Sequence, residues 1–428
     1  MLHLRYVMSA AALGVAAALL NPVSAADAVQ KPVWTLETSA RRALDVAPEL
    51  RQAEAQVAAR EGEYRQADAW PNPTLELRAD DKLGIEDGSG GTDLTHVGIS
   101  QPLPLRRLAR ARAVAAANLE AARENRRYEH LRLENQTAHA YHKLQLAAAR
   151  LKLAEEKQQQ VSGLAETPRG RDPLVRYLAP TERLRLDILR EEAQQAIAFA
   201  EGEHSEAASH FRALLALLPE AELALTELAP VAPPPPLASL EHGLESHPAL
   251  NSARKEQEAA RAGIEAARAS RFNDPALTFF RERDFIGGGR RDVNGVGLSI
   301  QIPLWNLNTG GIGKAYAEAD QAQARQATRR RDLTSRLRTS HTHLGHLIEQ
   351  AEHFRVRILD PGKRLFDLTR RGFSAGEAGI LALVDASNTY FDARWRYLEL
   401  LAQSWIEAAD VRLAAGRSAL DTSAEGAP

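Results

Sequence analysis

Two histidine pairs carry the first chemistry to weigh. His139 and His142 stand three residues apart, and His343 and His346 repeat that spacing 204 residues later. His341 and His353 lie nearby. On a helix such a pair shares a face, and neutral imidazole suits zinc or copper. A zinc site needs at least three protein ligands, and no third ligand stands at a recognisable spacing. Histidines on a solvated helix face are the simpler account, and a duplication alone would copy the motif. The chain has no cysteine. That excludes disulfides, thiolate metal sites, a cysteine nucleophile and a cysteine-linked lipid anchor. There is no Gly-rich phosphate loop, no HExxH and no nucleophile elbow. Neither an enzyme nor a cofactor is indicated.

The elements that would position such residues are long helices. Ala, Leu, Glu, Arg and Gln recur throughout, and aromatics are only 5%, a bias toward helix. The 54 Lys+Arg and 56 Asp+Glu leave a formal net charge of −2, so no basic surface for nucleic acid is indicated. Leu105 to Glu166 has no Pro and one Gly, Gly163. Ile312 to Arg371 has isolated glycines and one real break, expected at Pro361-Gly362. About 60 helical residues would run roughly 90 Å, wider than a compact domain. Tyr141, Leu144, Ala148 and Leu151 alternate by three and four, as do Leu344, Leu347, Ala351, Phe354 and Ile358. That is a narrow coiled-coil seam.

The beginning of the chain reads as a secretory signal over residues 1–25. Arg5 precedes the uncharged stretch Val7 to Leu20, which Asn21-Pro22 ends, and Val23-Ser24-Ala25 offers small residues for cleavage. The stretch is short for a membrane span of about 20 residues. No later stretch stays apolar for 18 residues, so no transmembrane helix is expected in the mature chain.

The rest reads as a tandem repeat, 34–227 and 240–416, followed by a disordered tail, 417–428. Leu44, Pro48 and Leu50 match Leu244, Pro248 and Leu250, and GISQPLPL from Gly98 matches GLSIQIPL from Gly297. Repetition at this scale means duplication of a whole unit. Between the copies, residues 228–239 form a Pro-rich linker expected to be stiff and extended.

Each copy holds one pair of short strands. Val296, Leu298, Ile300, Ile302 and Leu304 alternate with Gly295, Gly297, Ser299, Gln301 and Pro303. That is period 2 over about ten residues, the length of a tilted membrane strand. Val97, Ile99 and Leu103 repeat the pattern, and Leu75, Leu77 and Ala79 oppose Glu76, Arg78 and Asp80. Ala276 to Phe285 carries Arg281, Glu282, Arg283 and Asp284, so its outer half is expected beyond the lipid. Trp70 precedes the first strand and Trp305 follows the last, which places both at one membrane interface. Four strands cannot close a lipid-facing barrel, and open edges are not tolerated in lipid, so the membrane reading requires oligomerisation.

In this order and duplication the chain resembles the TolC-type outer-membrane efflux family, over nearly all its mature length. The resemblance rests on PNPTLEL and NDPALTFF entering the strands and GLSIQIPLW leaving them. It rests most on RRGFSAGEAGILALVDASNTYFDARWRYLELL from Arg370, which is similar to the family's second hairpin tip. It implies a fold that is mainly α with transmembrane β, in a homotrimer. Four strands per chain would share one β-barrel of about twelve, and paired long helices would form a periplasmic tunnel. The implied activity is passive. The channel would sit in outer-membrane lipid and work with an inner-membrane RND-type pump and a periplasmic adaptor (membrane fusion) protein. Overall likeness is greatest to the CzcC-like branch that exports divalent metal cations, while multidrug and type I secretion channels share the pattern. A periplasmic coiled-coil adaptor would instead carry one hairpin between paired β-rich halves.

The resemblance also assigns residues. Aligned through Gly372, Phe373 and Gly376, a pore-constricting carboxylate falls on Asp385, with Ala382 at the companion position. An Arg that holds some members shut falls on Ala378. Adaptor docking falls on the turn around Gly372, Phe373, Gly376 and Leu381. The first tip departs from the family pattern with Pro168, Pro173 and Pro180, and Pro180 is expected to break or kink the return helix. For the strands the expected outcome is asymmetric. Arg at Leu298 or Ile300 costs about 2–4 kcal/mol per chain near the bilayer midplane, and Arg at Ser299 is mild, as read by folding titration in vesicles. Equal damage on both faces would count against a membrane strand.

Overall fold

The computed structural model describes residues 33–80, 93–166, 180–286 and 289–421. The first copy contributes β1 Val33–Trp34, α1 Leu36–Val46, α2 Pro48–Ala67, β2 Thr74–Asp80, β3 Asp93–Pro102, α3 Arg107–Glu166, α4 Pro180–Leu214 and β4 Ala224–Leu225. The second contributes α5 Leu237–Gly243, α6 Pro248–Ala269, β5 Ala276–Ile286, β6 Gly289–Ser299, α7 Thr309–Phe354, α8 Asp360–Ala375 and α9 Ile380–Ala414. The 60-residue α3 is the hub and packs on α1, α2, α4, α6 and α9. α7 packs on α6 and α9, and α8 on α9. Alanine lets these helices approach: Ala138, Ala193, Ala200 and Ala402 are fully buried.

β2, β3, β5 and β6 form one antiparallel sheet in the order β2-β3-β5-β6, and β2 and β6 are its edges. β6 ends at Ser299, earlier than the alternation to Leu304 suggests. Ser299 pairs with Ala276, where β5 begins after Pro275, so Ile300, Ile302 and Leu304 find no strand to pair with among the described residues. β3 carries a bulge: Arg78 pairs with His96 and Ala79 with Leu94, which leaves Thr95 extra. A separate two-stranded sheet pairs β1 with β4 in parallel.

One proline expectation changes, at Pro361. Pro180 is the first described residue of α4, and residues 167–179 before it, Pro168 and Pro173 among them, lie outside the described residues. Pro361 does not end the long helix. One π turn, Arg355–Leu359, precedes it, with the Asp360 N–H reaching the Arg355 carbonyl, and the helix continues as α8. The wider turn accommodates a ring that would crowd the carbonyl four residues back. The seam shifts as a result. Leu344, Leu347 and Ala351 are buried and Ile358 is exposed. In α3, Tyr141 and Leu144 are buried while Ala148 and Leu151 are half-buried, with Ala147 and Leu153 taking the core positions.

The Pro-rich stretch packs against helices, and its last residues, from Leu237, already belong to α5. The Trp405 indole N–H donates to the Ala229 carbonyl at 2.7 Å, and His341 Nε2–H to the Pro235 carbonyl at 2.9 Å. His142 stacks on Trp405 with ring centroids 5.1 Å apart and donates from Nδ1 to Gln145 at 2.8 Å. Gln145 in turn donates to the Thr226 carbonyl. His247 caps α6: its Nδ1 accepts the Ala249 N–H and its Nε2–H donates to the Leu413 carbonyl. Burial holds the His142 ring down to about 4, with nearby Arg412 and His139 adding to the depression.

An imidazole that folds neutral and unfolds near 6.5 binds its proton more readily in the unfolded chain. Its contribution is therefore complete above pH 6.5 and is lost as pH falls toward 4, about 3 kcal/mol for this shift. Melting in detergent is expected to weaken steadily over that window, and His142→Gln to flatten the decline. An identical pH profile in the variant would place the titrating group elsewhere.

Candidate functional site

The second tip is built by two glycines and one buried ring. α8 ends where Gly376 takes a left-handed φ of 82°, a conformation glycine adopts without strain. The Gly376 N–H donates to the Phe373 carbonyl at 3.0 Å, and the Glu377 N–H to the Gly372 carbonyl at 2.8 Å. A Cβ on Gly372 would lie 3.4 Å from that of Ala378, so the turn closes tightly over it. Phe373 is only 2% exposed, in a cluster with Leu186, Phe366, Ile380 and Leu383. Its ring fills the tip from inside and shapes the turn to which the family resemblance assigns docking. Leu381 is 59% exposed at the start of α9. Asp385 follows one turn later, also exposed, as is Ala382, while Leu383 and Ala386 face the core.

Residues that spacing could not reveal tie this tip to α3. Arg150 lies over the Trp395 ring at 4.1 Å, between Glu203 at 3.5 Å and Glu399 at 3.4 Å. Arg394 pairs with Glu156, and Arg370 donates to Gln160. Partners from 53 to more than two hundred residues apart leave no local signal, so only the fold identifies them.

The histidine pairs do not converge. His139 Nε2–H donates to Asp410 at 2.8 Å, and Asn135 donates to the same carboxylate oxygen. His142 faces Trp405, His343 donates to Glu407 at 3.0 Å, and His346 is exposed. Among the described residues no three His, Asp or Glu side chains are arranged to hold a metal ion.

The sheet has two unlike faces. One cross-strand row runs Leu75–Ile99–Phe279–Val296 over all four strands, and its four side chains are exposed. The next row, Leu77–Val97–Arg281–Asn294, ends the apolar patch on β5 and β6. The opposite face is small and polar: Thr74–Ser100–Thr278–Gly297, with the Thr278 hydroxyl donating to Ser100 at 3.0 Å. Phe280 on this face lies across Gly295, where any Cβ would strike its ring, and stacks on His96 at 5.3 Å. Trp70 and Trp305, both exposed, flank the end of the sheet from which the helices leave. Among the described residues no helix is long and apolar enough to cross a membrane, a statement that leaves strands untouched.

The Outer membrane efflux protein family model matches residues 40–166 and 240–417. The cobalt-zinc-cadmium resistance protein CzcC of Cupriavidus metallidurans is 27% identical over 374 residues, 83% of this chain and 84% of its own. Among solved structures, CusC, studied for its folding and transmembrane channel formation, superposes with a TM-score of 0.71 at 21% identity, over 90% of this chain and 92% of CusC. The open MtrE outer membrane channel of Neisseria gonorrhoeae gives 0.72 at 18% identity, over 89% of each chain. The structural likenesses are of fold, and the two matched segments span most of the sequence. The chain therefore belongs to the outer membrane efflux protein family, whose members are channels and not enzymes.

Proposed function

We propose that three copies of the chain form the outer-membrane channel of a tripartite efflux system that exports divalent metal cations. The observation that carries the channel reading is the sheet itself, with an exposed apolar row on one face and, among the described residues, both edges unpaired. Unpaired edges are not sustained in lipid. Strand direction alternates through β2, β3, β5 and β6, so β6 of one copy runs antiparallel to β2 of the next. Twelve strands then close with no parallel seam, an even number as such barrels require. The small polar face lines the pore. Trp70 and Trp305 sit at the inner interface, and the long helices continue as a periplasmic tunnel.

The tip is the end that an adaptor protein and an RND-type inner-membrane pump engage, with Leu381 as exposed contact over the Gly372–Gly376 turn. Three symmetry-related Asp385 carboxylates form a negative ring at the constriction, which favours cations. The relation to a cobalt-zinc-cadmium resistance protein supports the cargo. The solved channels share the fold about equally and do not choose between cargoes.

Deleting the gene is expected to sensitise cells to zinc, cobalt, cadmium or copper more than to dyes and detergents; the reverse ranking favours a multidrug or secretion channel. In planar bilayers Asp385→Asn is expected to lower the cation selectivity and cation block of single trimers. Unchanged selectivity in an assembled trimer would sink the role given to Asp385.

A further inference from the structure

The exposed apolar face of the sheet stops on β5 at two arginines. Successive residues of a strand alternate between faces, so Leu277, Phe279, Arg281 and Arg283 share one. Phe279 belongs to the exposed apolar row, and Arg281 and Arg283, also exposed, continue from it away from the helices. Arg281 donates from Nη2 to Asp292 at 2.6 Å, and Arg283 from Nε to the other carboxylate oxygen at 3.1 Å. One carboxylate on β6 thus holds two guanidiniums side by side, and the trio stays positive. A guanidinium has five N–H donors, so most of them are left for another acceptor.

The height of this trio follows from the two tryptophans. Counted down the edge strands from the row Leu75–Ile99–Phe279–Val296, Trp70 is five residues away and Trp305 nine. The difference is about 13 Å of extended chain. A strand tilt of about 40° produces roughly 12 Å over three strand spacings. Both rings therefore lie at one level once the sheet is inclined as in a barrel. Along strands so inclined, an apolar band about 25 Å tall takes up about ten residues. Starting from Trp70 the band reaches Asp80, so Leu75, Leu77 and Ala79 lie within it. Starting from Trp305 it reaches Gly295, which leaves Val296 inside and Asn294 outside. Asn294 pairs with Arg281. A level membrane surface thus cuts the row Leu77–Val97–Arg281–Asn294 obliquely, which accounts for its apolar and polar ends. Arg281 stands at the surface, and Arg283 just above it.

We propose that Arg281 and Arg283 bind the phosphate groups of an outer-leaflet glycolipid, at three equivalent places around the trimer. This rests on the channel reading above. The tryptophan end of the band adjoins the helices, so the arginine end lies in the outer leaflet. That leaflet of an outer membrane is built of glycolipids whose sugars carry phosphate esters. Such a lipid lays acyl chains on Phe279 and Val296 and brings its anionic head level with the guanidiniums. Planar guanidinium forks match phosphate oxygens, and Asp292 holds both forks in place beforehand.

The test titrates the purified trimer, in mild detergent, with diphosphorylated lipid A, with the same glycolipid stripped of both phosphates, and with inorganic phosphate. Native mass spectrometry reads the bound lipid. The diphosphorylated form is expected to bind at least about tenfold more tightly than the stripped form, the measure of one charge-assisted hydrogen bond or more. Arg281→Gln combined with Arg283→Gln is expected to remove that preference in a trimer that assembles as before. Equal binding of the two glycolipids to wild type overturns the contact, whether or not the variant assembles. An unchanged preference in the assembled variant overturns it too. Displacement of the lipid by equimolar inorganic phosphate marks a free-anion site and overturns the lipid assignment. Each of these leaves the channel reading standing. A chain that is soluble and monomeric without detergent overturns the channel reading, and the contact with it.

Discussion

Backbone hydrogen bonding at the sheet edge is the constraint from which the rest follows. In hydrocarbon an unpaired N–H or C=O costs several kcal/mol, because no water replaces the missing partner. β2 and β6 each present such a row, and among the described residues no strand pairs with either edge. A chain with four strands can satisfy that demand only by repetition around an axis. Repetition then dictates the helices. Whatever leaves the sheet at one end must also be arranged in a ring, and long helices are the economical way to extend a ring away from a membrane. The unlike faces of the sheet, one apolar and one small and polar, fit the proposed barrel through the same constraint read across the strands instead of along them.

In the proposed ring each helix has neighbours only at its sides and buries less than a helix in a globule. The chain meets this with alanine, which lets α3 approach five other helices closely. Polar groups are then placed where they join segments distant in sequence. Tyr141 donates to the Trp34 carbonyl and shares a hydrogen bond with Thr226, pinning both strands of the small sheet to α3. Arg150 does similar work lower down, between Glu203 and Glu399. Packing thus supplies proximity, and a few buried polar contacts supply registration.

Periodicity made much of this legible. Alternation at Leu75–Leu77, Val97–Ile99 and Val296–Leu298 needs no partner to be recognised, because it is a property of one strand. The uninterrupted length of α3 is equally local. What stayed hidden depends on other segments. Where β6 ends is decided by where β5 begins. Pro361 reads as a stop until a π turn is allowed to absorb it. Phe373 sits in a Gly-rich turn and so reads as surface, yet the turn closes around it. His139 and His142 look like a pair on paper, but their partners Asp410 and Trp405 come from the far end of the chain and separate their roles. Proximity between remote segments, not local chemistry, is what single-sequence reading could not supply.

The contact between Glu134 and the last described turn carries a consequence for how the chain is made. Glu134, in the middle of α3, is almost fully buried and accepts from the Ser418 hydroxyl and the Ala419 backbone N–H. Nearby, Ala138 packs with Ala409 and Ala419. The hub helix is therefore finished by residues that leave the ribosome nearly three hundred positions later. Until they arrive, Glu134 on α3 lacks these two donors and the groove beside Ala138 lacks the side chains that fill it. A chain of this design waits, incompletely assembled, for its own C-terminal segment, and a truncated message yields an unfinished hub instead of a smaller channel.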